Sequence, residues 1–182
     1  MLTMPDKICI LSPGRCGSQY LLSLLGIHFC NRPWDLEHTH NLEYALELER
    51  QDFEVITVRR YDMFEWTLSR AVSDYILNGK MDGEEQFHNQ NVDFSFELTP
   101  EQYITRRDAI QKEYQSYNEE WRVFFYEDIV KNPIGVVNNI LGCANPPLTK
   151  TKLNYRKEDI VKNYAQLKQI EESANFNQYR NV

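Results

Sequence analysis

The sequence predicts an α/β domain of three layers, a small parallel sheet flanked by helices, and three stretches predict it. The first is Lys7-Ile-Cys-Ile-Leu-Ser-Pro-Gly-Arg-Cys-Gly-Ser-Gln-Tyr-Leu-Leu-Ser-Leu-Leu25, a buried strand, a tight polar loop and an apolar helix in immediate succession. The second is Phe53-Glu-Val-Ile-Thr-Val-Arg-Arg60, a β-branched run of the kind that fills a parallel strand, followed by helical apolar spacing from Tyr61 to Leu77. The third is Trp121-Arg-Val-Phe-Phe-Tyr-Glu-Asp128, a strand that runs into an acidic helix start, with a second helical run entered at Pro133. Strands are therefore expected near residues 7–12, 36–40, 53–59 and 121–126, with helices on both faces.

The loop after the first strand is built to receive an anion. Gly14 and Gly17 let backbone N–H groups approach a ligand closely, and Ser18 stands where the first helical turn leaves donors unsatisfied. A phosphate-type group fits such a place. The loop does not carry the Lys-Ser/Thr pair that follows the last Gly of the G-x-x-x-x-G-K-[ST] nucleotide motif, because Ser18 follows Gly17 directly and the cation, Arg15, comes two residues earlier. Arg59 and Arg60 end the second predicted strand, and ligands of open α/β sheets bind at that end. Between these units lies Trp34-Asp-Leu-Glu-His-Thr-His40, which holds two of the four histidines.

Gly14-Arg15-Cys16-Gly17-Ser18-Gln19-Tyr20 resembles the 5′-phosphosulfate loop of the sulfotransferases, with Arg15 in place of the usual Lys and Tyr20 in place of the Trp. The resemblance covers most of the chain and implies a P-loop-like domain whose co-substrate is 3′-phosphoadenosine-5′-phosphosulfate (PAPS), bound without a metal. It implies that Ser12, Gly14, Arg15, Cys16, Gly17, Ser18 and Gln19 hold the 5′ end of the donor, with Arg15 also stabilising charge in the reaction. The strand, Arg, helix, Ser unit that grips the donor's 3′-phosphate is matched by Arg60 with Ser69, nine residues on, and Arg59 with Thr67 is the rival register. The triplet His38-Thr39-His40 is similar to the K-T-H element, twenty residues before Arg60, so the general-base role is carried to His40 with His38 at the Lys position. Imidazole chemistry suits removal of a proton from an acceptor hydroxyl near neutral pH. Relatives that use a carboxylate instead leave Glu37 and Glu43 as alternates. Tyr155-Arg-Lys-Glu-Asp-Ile-Val-Lys-Asn-Tyr164 is similar to the element that closes over the 3′-phosphate; Arg156 and Lys157 match it, and Glu158 replaces its Gly. The segment from Tyr126 is similar to Y-E-D-L-x-x-x-P, and Glu127 and Asp128 receive the structural task of favouring a helix N-terminus.

Composition agrees with one folded domain over residues 1–182, since 42% hydrophobic and 13% aromatic residues exclude a disordered chain. The chain is short for a sulfotransferase, so surfaces for the acceptor, whether small molecule, glycan or lipid, are trimmed or supplied by a partner such as a second copy in a homo-oligomer. A net charge of −7 argues against nucleic acid or an anionic membrane as a general partner. Cys9, Cys16, Cys30 and Cys143 form no C-x-x-C pair, and the first residues show no export segment, which together predict a reduced, cytoplasmic setting. No stretch reaches the roughly 18 apolar residues of a membrane helix. Residues 78–98 read as a long loop, an acceptor lid or a plain connection, ahead of a helix that starts at Thr99-Pro-Glu-Gln102 with Thr as cap and runs to about Glu120.

Two other classes fit parts of the pattern. Cys9 to Arg15 satisfies the C-x5-R spacing of a cysteine phosphatase, although Cys9 lies inside the apolar strand, where an inert thiol is expected. A non-catalytic nucleotide- or phosphate-binding module would use the loop and leave His40 idle. A metal site at His38 and His40 lacks further ligands at suitable spacing.

Overall fold

In a computed structural model of the chain, residues 5–26, 29, 33–75, 95–142 and 156–173 are described. They show an α/β fold whose parallel sheet has the order β2-β1-β3-β4, with β1 at Ile8–Leu11, β2 at Leu36–Thr39, β3 at Glu54–Arg59 and β4 at Arg122–Phe125. Every pairing is parallel. Helices α1 (Ser18–Gly26), α2 (Leu42–Glu49), α5 (Tyr126–Lys131) and α6 (Pro133–Leu141) flank the sheet, and α3 (Met63–Tyr75), α4 (Pro100–Gln115), α7 (Lys157–Ile160) and α8 (Tyr164–Ser173) complete the order.

The chain divides into two compact units, Met1–Tyr61 with Tyr114–Thr151, and Asp62–Glu113 with Lys152–Val182. The first unit holds the sheet. All four residues of β1 are fully buried, because the strand has a partner on each edge and side chains packed on each face. Cys9 and Leu11 share one face with Val55 and pack with Ala45 and Leu48 of α2, Phe53, Tyr117 and Trp121. Alternation puts Ile10 and its β2 partner His38 on the opposite face. There α1 buries Ser18, Leu21, Leu24 and Leu25, the three- and four-residue spacing of one helical stripe.

Local signals set the helix ends. Asn41 caps α2 by accepting from the Tyr44 N–H at 3.2 Å. Asn132 caps α6 by accepting from the Gly135 N–H at 3.0 Å, Pro133 takes the first turn, and Gly142 closes the helix at φ 78°.

The second unit has its own core of Phe64, Leu68, Ala71, Val72, Phe96, Leu98, Tyr103, Ile160, Val161 and Leu167. Thr99 and Gln102 form a reciprocal capping box at the start of α4: the Gln102 N–H donates to Thr99 Oγ1 at 3.2 Å and the Thr99 N–H to Gln102 Oε1 at 3.0 Å. That helix ends at Gln115, short of Glu120. Asn163 clamps the backbone of Leu98, donating to its carbonyl at 2.6 Å and accepting from its N–H at 3.3 Å. The segment expected as a loop from Asn78, up to residue 94, and Cys30, Cys143 and Tyr155, lie outside the described residues.

Arg107, 2% exposed, donates through Nε to Glu171 Oε2 at 2.9 Å, and the same oxygen accepts from the Tyr103 hydroxyl at 2.7 Å. Burial and Glu171 hold the Tyr103 phenol above its ordinary range. Glu171→Ala removes the carboxylate that both donors share, and is expected to lower stability by about 3 kcal/mol in urea unfolding. Arg122→Met, which breaks the half-exposed pair with Glu54, should cost less than about 1 kcal/mol. Equal losses would show that burial does not set the strength of these pairs.

Candidate functional site

The loop that leaves β1 is held on both sides. The Ser12 N–H donates to the Thr39 carbonyl at 3.2 Å, which extends the β1–β2 ladder by one step, and the Gly17 carbonyl accepts from the N–H groups of Tyr20 and Leu21, which makes Gly17 the cap of α1. Between these anchors the backbone turns through the left-handed region at Gly14 (φ 74°), Arg15 (φ 56°) and Gly17 (φ 86°). A non-glycine residue there is strained by about 1–2 kcal/mol, and such strain clusters at functional sites. Left-handed turns ahead of a helix N-terminus form a concave row of amides suited to an oxyanion. Gly17 is required for a second reason. A Cβ there would collide with the ring of Tyr126.

Both histidines of the 36–40 strand turn toward this loop. Their rings meet edge to face at 4.7 Å, as residues two apart on one strand face must. His40 Nδ1 lies 2.6 Å from the Ser12 carbonyl oxygen. A carbonyl can only accept, so Nδ1 carries a proton, and in the neutral ring the lone pair is on Nε2. A Cβ on Gly14 would meet His40 Cε1 at 3.9 Å, an ordinary van der Waals contact, so its positive φ and not crowding calls for glycine there. His38 has the opposite tautomer: its Nδ1 accepts from Gln19 Nε2 at 3.2 Å and its Nε2–H donates to Ser18 Oγ at 2.9 Å. Ser12 Oγ donates to Ser18 Oγ at 3.0 Å and lies 3.2 Å from His40 Nδ1, which closes the chain. Burial, with the neighbouring His40 adding to it, pushes His38 down to about 4. At neutral pH His38 is therefore uncharged and cannot supply the cation expected of a Lys at its position. Glu37 stands on the opposite sheet face from His38, paired with Cys9, and Glu43 is exposed in the first turn of α2.

Arg59 and Arg60 end β3, two and three residues past the Leu11–Thr57 pair, so they reach the same sheet edge as the loop. Their environments differ. Arg60 Nε pairs with Glu127 Oε1 at 3.3 Å and its guanidinium lies over the Tyr126 ring at 4.8 Å. The other oxygen of Glu127 accepts from the Tyr61 N–H at 3.0 Å, and Asp128 accepts from the Tyr61 hydroxyl at 2.9 Å. The guanidinium of Arg59 stacks on Tyr114 at 3.4 Å, and among the described residues it has no ion-pair partner.

The remaining predicted residues belong to the second unit. Ser69 is buried on α3. Thr67, the rival-register hydroxyl, is fully buried and donates to the Met63 carbonyl at 2.8 Å, a bond within its own helix. Lys157 donates to Glu65 Oε2 at 2.5 Å beside Tyr164, whose hydroxyl donates to Glu65 Oε1 at 3.0 Å. Arg156 is exposed and pairs with Glu158, the residue that stands where a Gly was expected.

Cys9 is packed in the sheet interior, and burial, with Glu37 adding to it, pushes its thiol up to about 12. That is the wrong direction for a nucleophile. Cys16 is buried in the loop; burial raises its thiol too, and the neighbouring Ser12 and Ser18 side chains act in the opposite direction. Among the described residues no group of three or more His, Cys, Asp or Glu side chains is placed to hold a metal ion, and no helix is long and apolar enough to cross a membrane. Comparison with protein-family models, curated proteins and solved structures returns no match for this chain.

Three residues at this edge carry contacts that the sequence reading did not assign. His38 holds Ser18, Tyr126 backs both Gly17 and Arg60, and Glu127 brackets the end of β3. Alternation from His40 was a usable signal for the first. The other two follow from the β3–β4 pairing of Arg59 with Phe125, which one-dimensional spacing does not contain.

The lowered His38 makes stability depend on pH. The unfolded chain takes up a proton near the usual histidine value of about 6.5, the folded chain only near 4, so stability falls as pH drops from above 6.5 toward 4. His38→Gln should flatten that part of the stability profile in thermal unfolding. An unchanged slope would show that His38 titrates normally. Gly17→Ala should lower the unfolding midpoint, and Gly17→Ala combined with Tyr126→Ala should recover part of the loss; no recovery would assign the loss to backbone strain alone.

Proposed function

We propose that the chain is a sulfotransferase of P-loop-like fold that moves a sulfuryl group from PAPS to a hydroxyl or amine of an acceptor. One observation carries this reading: the left-handed loop over Gly14, Arg15 and Gly17 caps α1, and His40 stands at its rim with Nδ1–H fixed on the Ser12 carbonyl and Nε2 left basic. The left-handed turns of the loop, and a donor set of amides, hydroxyls and Arg15, fit an oxyanion better than a neutral ligand.

PAPS, when bound, supplies an activated sulfuryl group on its 5′-phosphate. The loop from Ser12 to Gln19 would hold that end, with the α1 N-terminus and Arg15 stabilising the charge that gathers on the leaving phosphate. His40 would take the acceptor's proton at Nε2, and the Nδ1–H bond to Ser12 would orient the ring and strengthen as it becomes charged. For the 3′-phosphate, the Glu127 pair counts against Arg60 and for Arg59 as the more available cation, while the back-bonded Thr67 counts for Ser69 over its rival. Ser69, Arg156 and Lys157 join the reading through the family resemblance. The buried, high-pKa Cys9 speaks against the phosphatase alternative.

Calorimetry with 3′-phosphoadenosine-5′-phosphate and with ATP, each with magnesium and with a chelator, tests the reading. The 3′-phosphorylated nucleotide should bind without magnesium and ATP poorly; magnesium-dependent ATP binding that is equal or better would overturn it. Arg59→Ala should weaken the 3′-phosphorylated nucleotide by roughly 1–3 kcal/mol and leave the analogue without that phosphate unchanged. If Arg60→Ala gives the selective loss instead, the ion pair with Glu127 opens on binding.

His40→Ala should leave nucleotide affinity nearly unchanged and lower turnover by about 100-fold, the scale of a lost general base. The assay is a screen of sugars, phenols, lipids and cell extract with labelled donor. Full activity in the variant would assign the base elsewhere. Nucleotide binding without turnover on any acceptor in the wild type would favour the non-catalytic module.

A further inference from the structure

The hydrogen bonds around Ser18 converge on its oxygen. At one end of the chain the Ser12 carbonyl can only accept, so His40 Nδ1 must donate to it. Ser12 Oγ, beside that same N–H, donates onward to Ser18 Oγ at 3.0 Å. At the other end the Gln19 side-chain N–H donates to His38 Nδ1, so His38 Nε2 carries the proton and donates to Ser18 Oγ at 2.9 Å. Two donors therefore converge on one hydroxyl oxygen and occupy both of its lone pairs. The proton left to Ser18 is its own. That serine can only donate, to Cys16 Sγ or to an acceptor-only oxyanion brought to the loop.

We infer that His38 is a positioning residue for the loop: through Ser18 Oγ and Gln19 it fixes the first turn of α1 and turns the Ser18 hydroxyl into an obligate donor, so that the site selects an acceptor-only oxyanion at the 5′ end of the nucleotide. The inference rests on the sulfotransferase reading for the identity of that nucleotide, and on the hydrogen-bond chain for the role of His38. His38 spans from β2 to the first two residues of α1, a span that the sheet pairing of Ile10 with His38 sets. It acts as a neutral strut, and its geometry rather than a charge does the work.

The test is a double-mutant cycle read by calorimetry with 3′-phosphoadenosine-5′-phosphate, alongside adenosine 3′-monophosphate, which lacks the 5′-phosphate. His38→Leu should weaken the bisphosphate roughly 10-fold, the worth of one lost hydrogen bond to a polar partner, and leave the monophosphate unchanged. His38→Gln, which keeps an N–H donor, should restore most of that affinity. Ser18→Ala should show a similar loss, and His38→Leu added to Ser18→Ala should cost nothing more. Thermal unfolding of each variant separates a positional effect from a folding defect. Nitrogen-15 spectra of the wild-type protein give a readout that needs no variant: His38 should be the Nε2–H tautomer at pH 7. Failure of the wild type to bind the bisphosphate overturns the functional reading and this inference with it. Binding by the wild type with additive losses in the cycle, equal losses for both nucleotides, or an Nδ1–H tautomer at His38 overturns the role of His38 alone.

Discussion

The candidate site depends on β1 having a parallel neighbour along each edge. A strand buried on every side must satisfy each N–H and carbonyl in its ladders, so its exit point is fixed by both neighbours at once. Thr39 receives the first N–H after the strand, and that one bond brings His40 level with Ser12. The His40 bond to the Ser12 carbonyl then follows without any long-range search, because both residues are one step past the ends of paired strands. On the other edge the same register carries β3 two residues further, which brings Arg59 and Arg60 to the level of the loop. The loop is thus anchored to the rim of the sheet, and a side chain placed on that rim would need little ordering if a ligand arrived.

Charge at this edge is more nearly balanced than the run of basic residues suggests. Arg60 holds the carboxylate of Glu127, and His38 is neutral. Such pairs keep guanidinium and ammonium groups oriented while offsetting their charge, and an anionic ligand must compete with the resident carboxylate. The Arg59 guanidinium, stacked on Tyr114, has no ion-pair partner among the described residues, and the loop and α1 add their dipoles. An anion held in this way would rely on fixed amides as much as on net charge, which is compatible with a chain of net charge −7.

The parts of the fold legible in the sequence were those with local causes. The apolar run Ile8 to Leu11, the glycines of the loop and the leucine stripe of α1 announce strand, turn and helix within a few residues. Thr99 with Gln102, and Asn132 with Pro133 and Gly142, announce helix ends through bonds that close inside one turn. What stayed hidden depends on which strands pair. Nothing in the spacing of His38 and Ser18 says that their side chains touch; the parallel register of β1 with β2 does. Likewise Glu127 reads as a helix-start acid until β4 is laid beside β3, when its carboxylate reaches Arg60 and the Tyr61 N–H. Lys157 reads as a phosphate cation, and its carboxylate partner Glu65 lies far away in sequence.

The contact between Gly17 and the Tyr126 ring bears on the order in which the chain assembles. β1, β2 and β3 lie within the first 59 residues, whereas β4 follows only at Arg122, so the strand that delivers Tyr126 must close a long loop before it can pair. Contacts of that sequence separation form late and slowly compared with local ones. The loop can therefore acquire its turns and its histidine neighbours from the first three strands, while the wall behind Gly17 arrives with the last. A ligand that bound the loop only with that wall in place would therefore favour the docking of β4 by mass action.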